Sequence, residues 1–143
     1  MEVVRVEVAE STTGRNTGPL KREMTEAAET GVALWVEGDP EKLETVFTEN
    51  MMDTWRQLRD MDDEEGVERV RVHSEAEYFH TALDEDEPRL RYEFLDESYF
   101  IDAQTRLPVT EPYNTEREIV IRLVREDGTL KIDSMIGSTD GLR

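Results

Sequence analysis

The stretch EREIVIRLVREDGTLKIDSMI, residues 116–136, predicts a β-hairpin and decides the class of fold. On both sides of its centre, apolar residues alternate with polar ones, which is the period of a strand with one buried face. The central Asp127–Gly128 is a dipeptide favoured by two-residue type I′ turns, because both turn positions need a positive φ. The predicted inward-facing side chains are those of Ile119, Ile121, Leu123, Leu130, Ile132 and Ile136.

Upstream of this hairpin, a period of two again predicts a pair of strands. They are Val67–Leu83 and Arg89–Asp102, joined by a charged turn at Asp84–Pro88. By this alternation the even-numbered residues of the first strand face the core and His73 faces outward. Ile101–Asn114 contains two prolines, which do not fit inside a paired strand, so we expect an irregular connection there.

Two amphipathic helices are predicted before the strands. The first runs from Thr17–Pro19 to Gly38, because proline suits the first turn of a helix and glycine suits its end. The second runs without a break from Asp39, a favourable N-cap, to about Met61. Two N-terminal helices followed by four antiparallel strands define an α+β fold, with the helices packed on one face of the sheet.

The sequence divides into three parts. Residues 1–18 are predicted to form an arm, with a short strand at Val3–Val8 and a polar linker after it. Residues 19–136 are predicted to form the α+β domain, and residues 137–143 a flexible tail.

The net charge of −18, from 35 acidic and 17 basic residues, limits the classes of partner. Without a basic surplus, binding to nucleic acid through counterion release is excluded, and docking on anionic membranes is not expected. Only three of the basic residues are lysines, and this arginine-rich acidic composition indicates adaptation to high salt. The alternative is an ordinary acidic protein from a GC-rich genome.

The absence of cysteine excludes disulfides, thiolate zinc sites and cysteine nucleophiles. The acidic runs Asp60–Glu65 and Asp84–Glu87 lack the spacing of a calcium-binding loop, so we expect no metal and no other cofactor. No apolar run is long enough to span a membrane, and the N-terminus does not have the pattern of a signal peptide. We therefore expect a soluble, cytoplasmic protein, or a domain cut from a larger or anchored one.

The segment ALWVEGDPEKLETVF, residues 33–47, resembles the start of the NTF2-like (SnoaL-like, cystatin-like) α+β superfamily. The matching positions are a Gly-Asp pair after the first helix and a leucine and a phenylalanine in the next: Gly38, Asp39, Leu43 and Phe47. The strand around Glu97–Tyr99 and the segment Gly128–Ile132 are similar to those of Tim44-like and ARC6-like interaction domains. Leu130 stands where that group usually has tryptophan, and the similarity covers about residues 19–136.

The resemblance implies a bent sheet of four or more strands that forms a cone around the helices. The cone holds a ligand in some members and is filled by side chains in others. The superfamily includes small-molecule enzymes and also non-catalytic domains that mediate protein contacts or dimerise through the sheet, so fold alone does not select a function. The residues predicted to line the cone, where a small apolar ligand would bind, are Trp35, Phe47, Trp55, Tyr78, Tyr92 and Phe94.

One acid/base set inside this cone is a candidate for proton transfer. The predicted register pairs Tyr78 with Phe94 and His80 with Tyr92, and it places Asp96 one pair further along. In this interpretation Asp96 orients the imidazole or acts as base, His80 acts as acid or base, and Tyr78 donates a hydrogen bond. The alternative is that His80 is a hydrogen-bonded core residue and that a bulge turns Asp96 outward.

The leading hypothesis is a non-catalytic NTF2-like domain that mediates protein association, as a homodimer or as a component of an assembly. The competing hypothesis is a small-molecule binder or enzyme of the SnoaL or ketosteroid-isomerase type that uses His80, Asp96 and Tyr78. A third is a purely structural domain of a secretion, conjugation or division apparatus.

Overall fold

The computed structural model describes residues 17–137, which form three helices and six strands. The helices are α1 (Gly18–Glu37), α2 (Pro40–Leu43) and α3 (Glu49–Glu64). The strands are β1 (Val67–Val70), β2 (His73–Ala82), β3 (Arg89–Asp96), β4 (Tyr99–Asp102), β5 (Thr115–Glu126) and β6 (Thr129–Gly137). The α+β class is therefore confirmed. The predicted strand at Val3–Val8, its linker up to residue 16 and the tail from residue 138 lie outside the described residues.

The main sheet is antiparallel and has the order β2-β3-β5-β6. The last hairpin has the predicted turn, since Asp127 and Gly128 adopt φ angles of 52° and 83°. The strands β1 and β4 pair separately as a small two-stranded sheet. The strands of the main sheet thus follow one another as in a meander, except that β4 of the small sheet lies between β3 and β5 in the chain.

The first helix agrees with its prediction, and Gly38 ends it in the left-handed conformation at φ 82°. The second predicted helix is wrong as a single element, because the chain leaves helical geometry between α2 and α3. There Phe47 pairs with Ile132 of β6 in a parallel β-bridge. Thr48 then restarts the helix, and its side-chain oxygen accepts a hydrogen bond from the backbone N–H of Met51.

Both strands of the predicted long hairpin are also divided. The first breaks at residues 71–72 and the second at residues 97–98, so β1 and β4 depart from the main sheet together. Ser98 holds this junction, because its Oγ accepts a hydrogen bond from Val72 N at 3.0 Å and its own N–H donates to Asp96. The irregular connection predicted for Ile101–Asn114 is observed after β4, where the chain is irregular until β5 begins.

Within the described residues the main sheet has three register shifts, of which one lies between His80 and Ala82 and the other two change which predicted side chains face the core. In β2 the register shifts between Ser74 and Glu77, with Glu75 at a φ of 54°. In β6 an extra residue, Asp133, lies opposite the Arg122–Leu123 step of β5. Ile136 is consequently 64% exposed instead of facing inward as predicted, and Met135 packs against the core.

One hydrophobic core lies between the helices and the main sheet, where α1 and α3 both contact β6. Its buried residues are Leu20, Met24, Ala28, Val32, Leu43, Phe47, Met51, Met52, Trp55, Leu90, Tyr92, Phe94, Ile121, Leu123, Leu130 and Ile132. Helix and sheet approach most closely at Gly31, where a Cβ atom would lie 2.4 Å from Cδ1 of Ile132. The core therefore needs glycine at this position of α1 as long as Ile132 keeps its rotamer.

Candidate functional site

The structure separates the predicted acid/base set. In the observed register Tyr78 pairs with Tyr92 and His80 with Leu90, which shifts the predicted pairing by two residues. Asp96 lies six residues further along β3 than Leu90, about 20 Å away at the rise of a strand. His80 instead contacts α1, where its Nε2 lies 2.9 Å from Thr25 Oγ1 and 3.1 Å from the carbonyl oxygen of Lys21.

His73, which sequence reasoning assigned to the surface, occupies the position expected for His80. It is the cross-strand partner of Asp96, and its ring stacks on Phe94 at a centroid distance of 4.0 Å. Its Nδ1 lies 2.9 Å from the hydroxyl of Tyr92. The bulge at Glu75 explains why His73 faces inward. An extra residue in a strand reverses the face to which every residue before it points. The only signal in the sequence is the polar run Ser74–Glu77, which interrupts the apolar alternation.

The environment of His73 keeps its imidazole neutral. The pKa of His73 is lowered to about 4, mainly because the imidazole is buried; the charge of Asp96 opposes this, and the charges of Arg71 and Arg117 add to it. The hydroxyl of Tyr92 likewise has a raised pKa because it is buried. Histidine and tyrosine are therefore a neutral hydrogen-bonded pair at physiological pH, which is an arrangement suited to packing.

Asp96 is held in an ion pair. Arg117 Nε lies 2.5 Å from Asp96 Oδ2, and both side chains are largely buried. Burial raises the pKa of Asp96, but hydrogen bonds from Ser98 and the charge of Arg117 outweigh it, and the net pKa is lowered. The carboxylate of Asp96 is thus ionised. At the junction between the two sheets, one of its oxygens accepts a hydrogen bond from the backbone N–H of Ser98 and the other accepts one from Arg117.

The aromatic residues predicted to line the cone fill the interior. Phe47, Trp55, Tyr92 and Phe94 are all buried in the core, while Trp35 and Tyr78 pack against it. The rings of Tyr78, Tyr92 and Phe94 form a continuous stack with centroid distances of 4.9 and 4.6 Å. Trp35 meets the ring of His73 edge-on at 5.3 Å. Burial raises the pKa of Tyr78 to about 12, so its hydroxyl stays protonated.

The opposite face of the main sheet has none of the helices α1–α3 on it and carries three rows of side chains across the strands. The central row contains apolar groups and one arginine: Phe79, Arg91, Val120 and Ile136. On one side lies a row of three glutamates: Glu77, Glu93 and Glu118. On the other side lies a row with two arginines: Ala82, Arg89, Arg122 and Ser134. We call this surface the outer sheet face.

Charges on the outer sheet face are arranged asymmetrically. Arg91 stacks over Phe79 at 4.6 Å and pairs with Glu93 at 2.7 Å and Glu118 at 2.9 Å. Two more glutamates, Glu75 and Glu116, border the acidic row in a shallow groove. The face therefore runs from negative through apolar to positive along the strand direction.

Among residues 17–137, no group of three or more histidine, aspartate or glutamate side chains is placed to hold a metal ion. Within that same span, none of the helices has the length and apolar character needed to cross a lipid bilayer.

The comparisons with known proteins leave the family open. No protein-family model matches the sequence, and none of the curated proteins does. The fold defines the class, an α+β domain with a four-stranded antiparallel sheet. Membership of the NTF2-like superfamily remains a prediction from the segment at residues 33–47.

Proposed function

We propose that this chain is a non-catalytic, salt-adapted NTF2-like domain that associates with a second copy of itself through the outer sheet face. The observation that carries the proposal is the order of the three rows on that face. A two-fold axis along the central row brings the apolar groups of two copies together. The same rotation places the glutamate row of each copy against the arginine row of the other, so the surface is complementary to itself.

The central row supplies the apolar contact. Ile136 is 64% exposed, and Phe79 lies on the same row at the far edge of the sheet. An exposed isoleucine on a sheet face, without a helix over it, is a group that association would bury. Burial of this row in a dimer would stabilise the pair, and the flanking charges would fix its orientation.

The arginine row has free charge for a partner. Arg89 is exposed and makes no ion pair with any residue between 17 and 137. Arg122 pairs with Asp133 at 2.7 Å and with Glu87 at 4.0 Å, and the nitrogen that faces Glu87 is without a hydrogen bond among the described residues. In the proposed dimer the glutamates of the second copy lie opposite these guanidinium groups. The resemblance supports the same surface, since related non-catalytic domains dimerise through the sheet.

The competing hypothesis, an enzyme with an acid/base pair inside a cone, has less support. It needs a space for substrate and a histidine beside a carboxylate. In the described residues the predicted lining side chains pack against one another, His80 contacts α1, and Asp96 is paired with Arg117. We therefore favour a filled interior and a function on the surface.

The experiment is sedimentation velocity in molar KCl, where the repulsion between two chains of charge −18 is screened. The test variant is Ile136→Glu and the matched control is Leu107→Glu, because both residues are 64% exposed and Leu107 lies away from the outer sheet face. We expect wild type and L107E to dimerise and I136E to dissociate at least about tenfold more readily, since a buried carboxylate lacks a partner there.

A charge variant tests the orientation of the two copies. Arg89→Glu places like charges opposite one another and should weaken the dimer, and adding Glu93→Arg should restore part of the loss. A wild-type monomer at every protein and salt concentration would refute the proposal. Equal behaviour of I136E and L107E would refute the assigned surface.

A further inference from the structure

A cleft of about 350 Å³ opens on the side of the molecule away from the outer sheet face. The C-terminal end of α1, the helix α3, the strand β1 and the turn after β4 form its walls. Three arginines line it, namely Arg59, Arg69 and Arg71. In a chain with twice as many acidic as basic residues, a concentration of three arginines in one cleft is unexpected.

Two of these arginines are held by tryptophan rings instead of carboxylates. The guanidinium of Arg71 lies 4.7 Å from the ring centre of Trp35, and that of Arg59 lies 5.1 Å from the ring centre of Trp55. Neither has a carboxylate within ion-pair distance in the part of the chain that the structure describes. Stacking holds each guanidinium plane but leaves its N–H edge free to donate hydrogen bonds.

Four carboxylates also line the cleft, and within residues 17–137 they form a salt bridge with Arg69 but none with Arg59 or Arg71. Three of the four already have basic partners: the pairs are Glu37 with Lys42 at 2.8 Å, Glu68 with Arg106, and Asp62 with Arg69 at 3.6 Å. The last distance is too long for a hydrogen bond, so Nε of Arg69 is buried beside Asp62 without a hydrogen bond among the described residues. Within residues 17–137 the cleft therefore contains one buried donor without a hydrogen bond, on Arg69, and two guanidinium groups without a salt bridge, Arg59 on α3 and Arg71 on the link after β1.

The charge of Arg71 is costly where it lies. Burial, and next the like charge of Arg69, lower the pKa of Arg71 to about 10. The group is still protonated at neutral pH, so the folded protein carries a desolvated positive charge. The charges of Asp62 and Asp96 oppose these two effects, and a negative group bound in the cleft would oppose them further.

We propose that this cleft is a binding site for a small molecule with an oxyanion group, either a carboxylate or a phosphate. Arg71 is the principal contact, since its half-buried guanidinium has no salt bridge among residues 17–137, and the exposed Arg59 contacts the ligand from the solvent side. A guanidinium presents two parallel N–H groups that match the two oxygens of a carboxylate or phosphate. The volume is at the lower end of small-molecule sites, which restricts the ligand to a small metabolite.

The site is independent of the proposed dimer. It lies on β1 and the helices, whereas the outer sheet face belongs to the main sheet. A variant that no longer dimerises should thus still bind the anion, and a variant that no longer binds the anion should still dimerise. The two proposals are tested by different variants.

The test uses the two tryptophans as the signal, because they are the only ones in the chain and each stacks under one of the arginines. Inorganic phosphate and, separately, succinate are titrated while KCl is adjusted to keep the ionic strength constant. We expect a saturable change of tryptophan fluorescence and a rise in melting temperature with at least one of the two anions. Phosphate alone or succinate alone would identify the ligand class.

The variants are Arg71→Gln, Arg59→Gln and the matched control Arg22→Gln. Arg22 is an exposed arginine of α1 that lies outside the cleft and, within residues 17–137, has no ion pair. We expect R71Q to bind about tenfold or more weakly, because a charge-assisted pair of hydrogen bonds is lost. R59Q should be weakened less and R22Q should bind as wild type does.

Three results would overturn the proposal. They are a linear response of the wild type to both anions, unchanged affinity in both cleft variants, and an equal loss in R22Q. Far-UV circular dichroism confirms that each variant is folded. Because Arg59 is exposed, R59Q keeps the test decisive if R71Q does not fold.

Discussion

The buried imidazole of His73 should make the stability of this protein fall between pH 6.5 and 4. In the folded protein its pKa is lowered to about 4, mainly because it is buried, whereas in the unfolded chain it returns to 6.5. Between these values the unfolded chain binds a proton that the folded chain does not. The free energy of unfolding therefore has its full His73 contribution above pH 6.5 and loses it as the pH falls.

The magnitude follows from the size of the shift. Each pKa unit corresponds to about 1.4 kcal/mol, so the loss is at most about 3.5 kcal/mol. Partial exposure of the imidazole reduces this to about 2 kcal/mol, which is still a large fraction of the stability of a small domain. The charged groups that face His73 are Asp96, Arg71 and Arg117, and the two arginines outnumber the carboxylate.

The assay is urea unfolding followed by circular dichroism from pH 7.5 to 4 at constant ionic strength. His73→Phe keeps a ring in the stack and removes the titrating group, so subtraction of its pH profile isolates the His73 contribution. His80→Gln is the comparison variant, because His80 is exposed and its pKa is lowered less than that of His73, so its removal should change the pH profile less. Protonation of the many carboxylates affects all three proteins alike. Parallel profiles for wild type and H73F would refute the reasoning.

Other measurements test the packing and the charge. Ile132→Val should lower the free energy of unfolding by about 1 kcal/mol in the wild type and by less in the Gly31→Ala variant. Valine lacks the Cδ1 atom that the new Cβ of residue 31 would meet, so the two substitutions should partly compensate. Additive changes in the free energy of urea unfolding would contradict this. Thr48→Ala should lower the free energy of unfolding by about 1–2 kcal/mol, since it removes both the N-cap of α3 and a hydrogen bond to Asp133. The control is Thr45→Ala, at an exposed position. Finally, KCl should raise the melting temperature, and a melting temperature insensitive to salt would remove the case for salt adaptation.

The elements that sequence predicted well are those fixed by neighbouring residues. The final hairpin depends on the Asp127–Gly128 turn and on local alternation, and the first helix ends at a glycine with positive φ. The break before Thr48 depends on Ile132, which is far away in the chain, so no local periodicity signals it. Helical spacing continues across the break because Phe47 is buried in either conformation.

The candidate site was harder to predict for a related reason. The six aromatic residues are identifiable as interior from their spacing, but spacing does not tell whether they line a space or fill it. The inward orientation of His73 depends on one inserted residue near Glu75. A single insertion reverses the side-chain orientation of all residues on one side of it in the strand. The arginine cleft carries no sequence pattern at all, since Arg59 comes from a helix and Arg71 from a link between strands.

The β-bridge between residues 46–48 and β6 also constrains how the chain folds. Thr48 N donates to the carbonyl oxygen of Ile132, and Ile132 N donates to that of Val46, both at 2.9 Å. On a ribosome, residues 46–48 emerge long before residue 132, so the helices cannot be locked in place until the last strand has been made. Folding of the domain should therefore be a late, cooperative event that follows synthesis of β6, and not a stepwise one that follows the order of the chain.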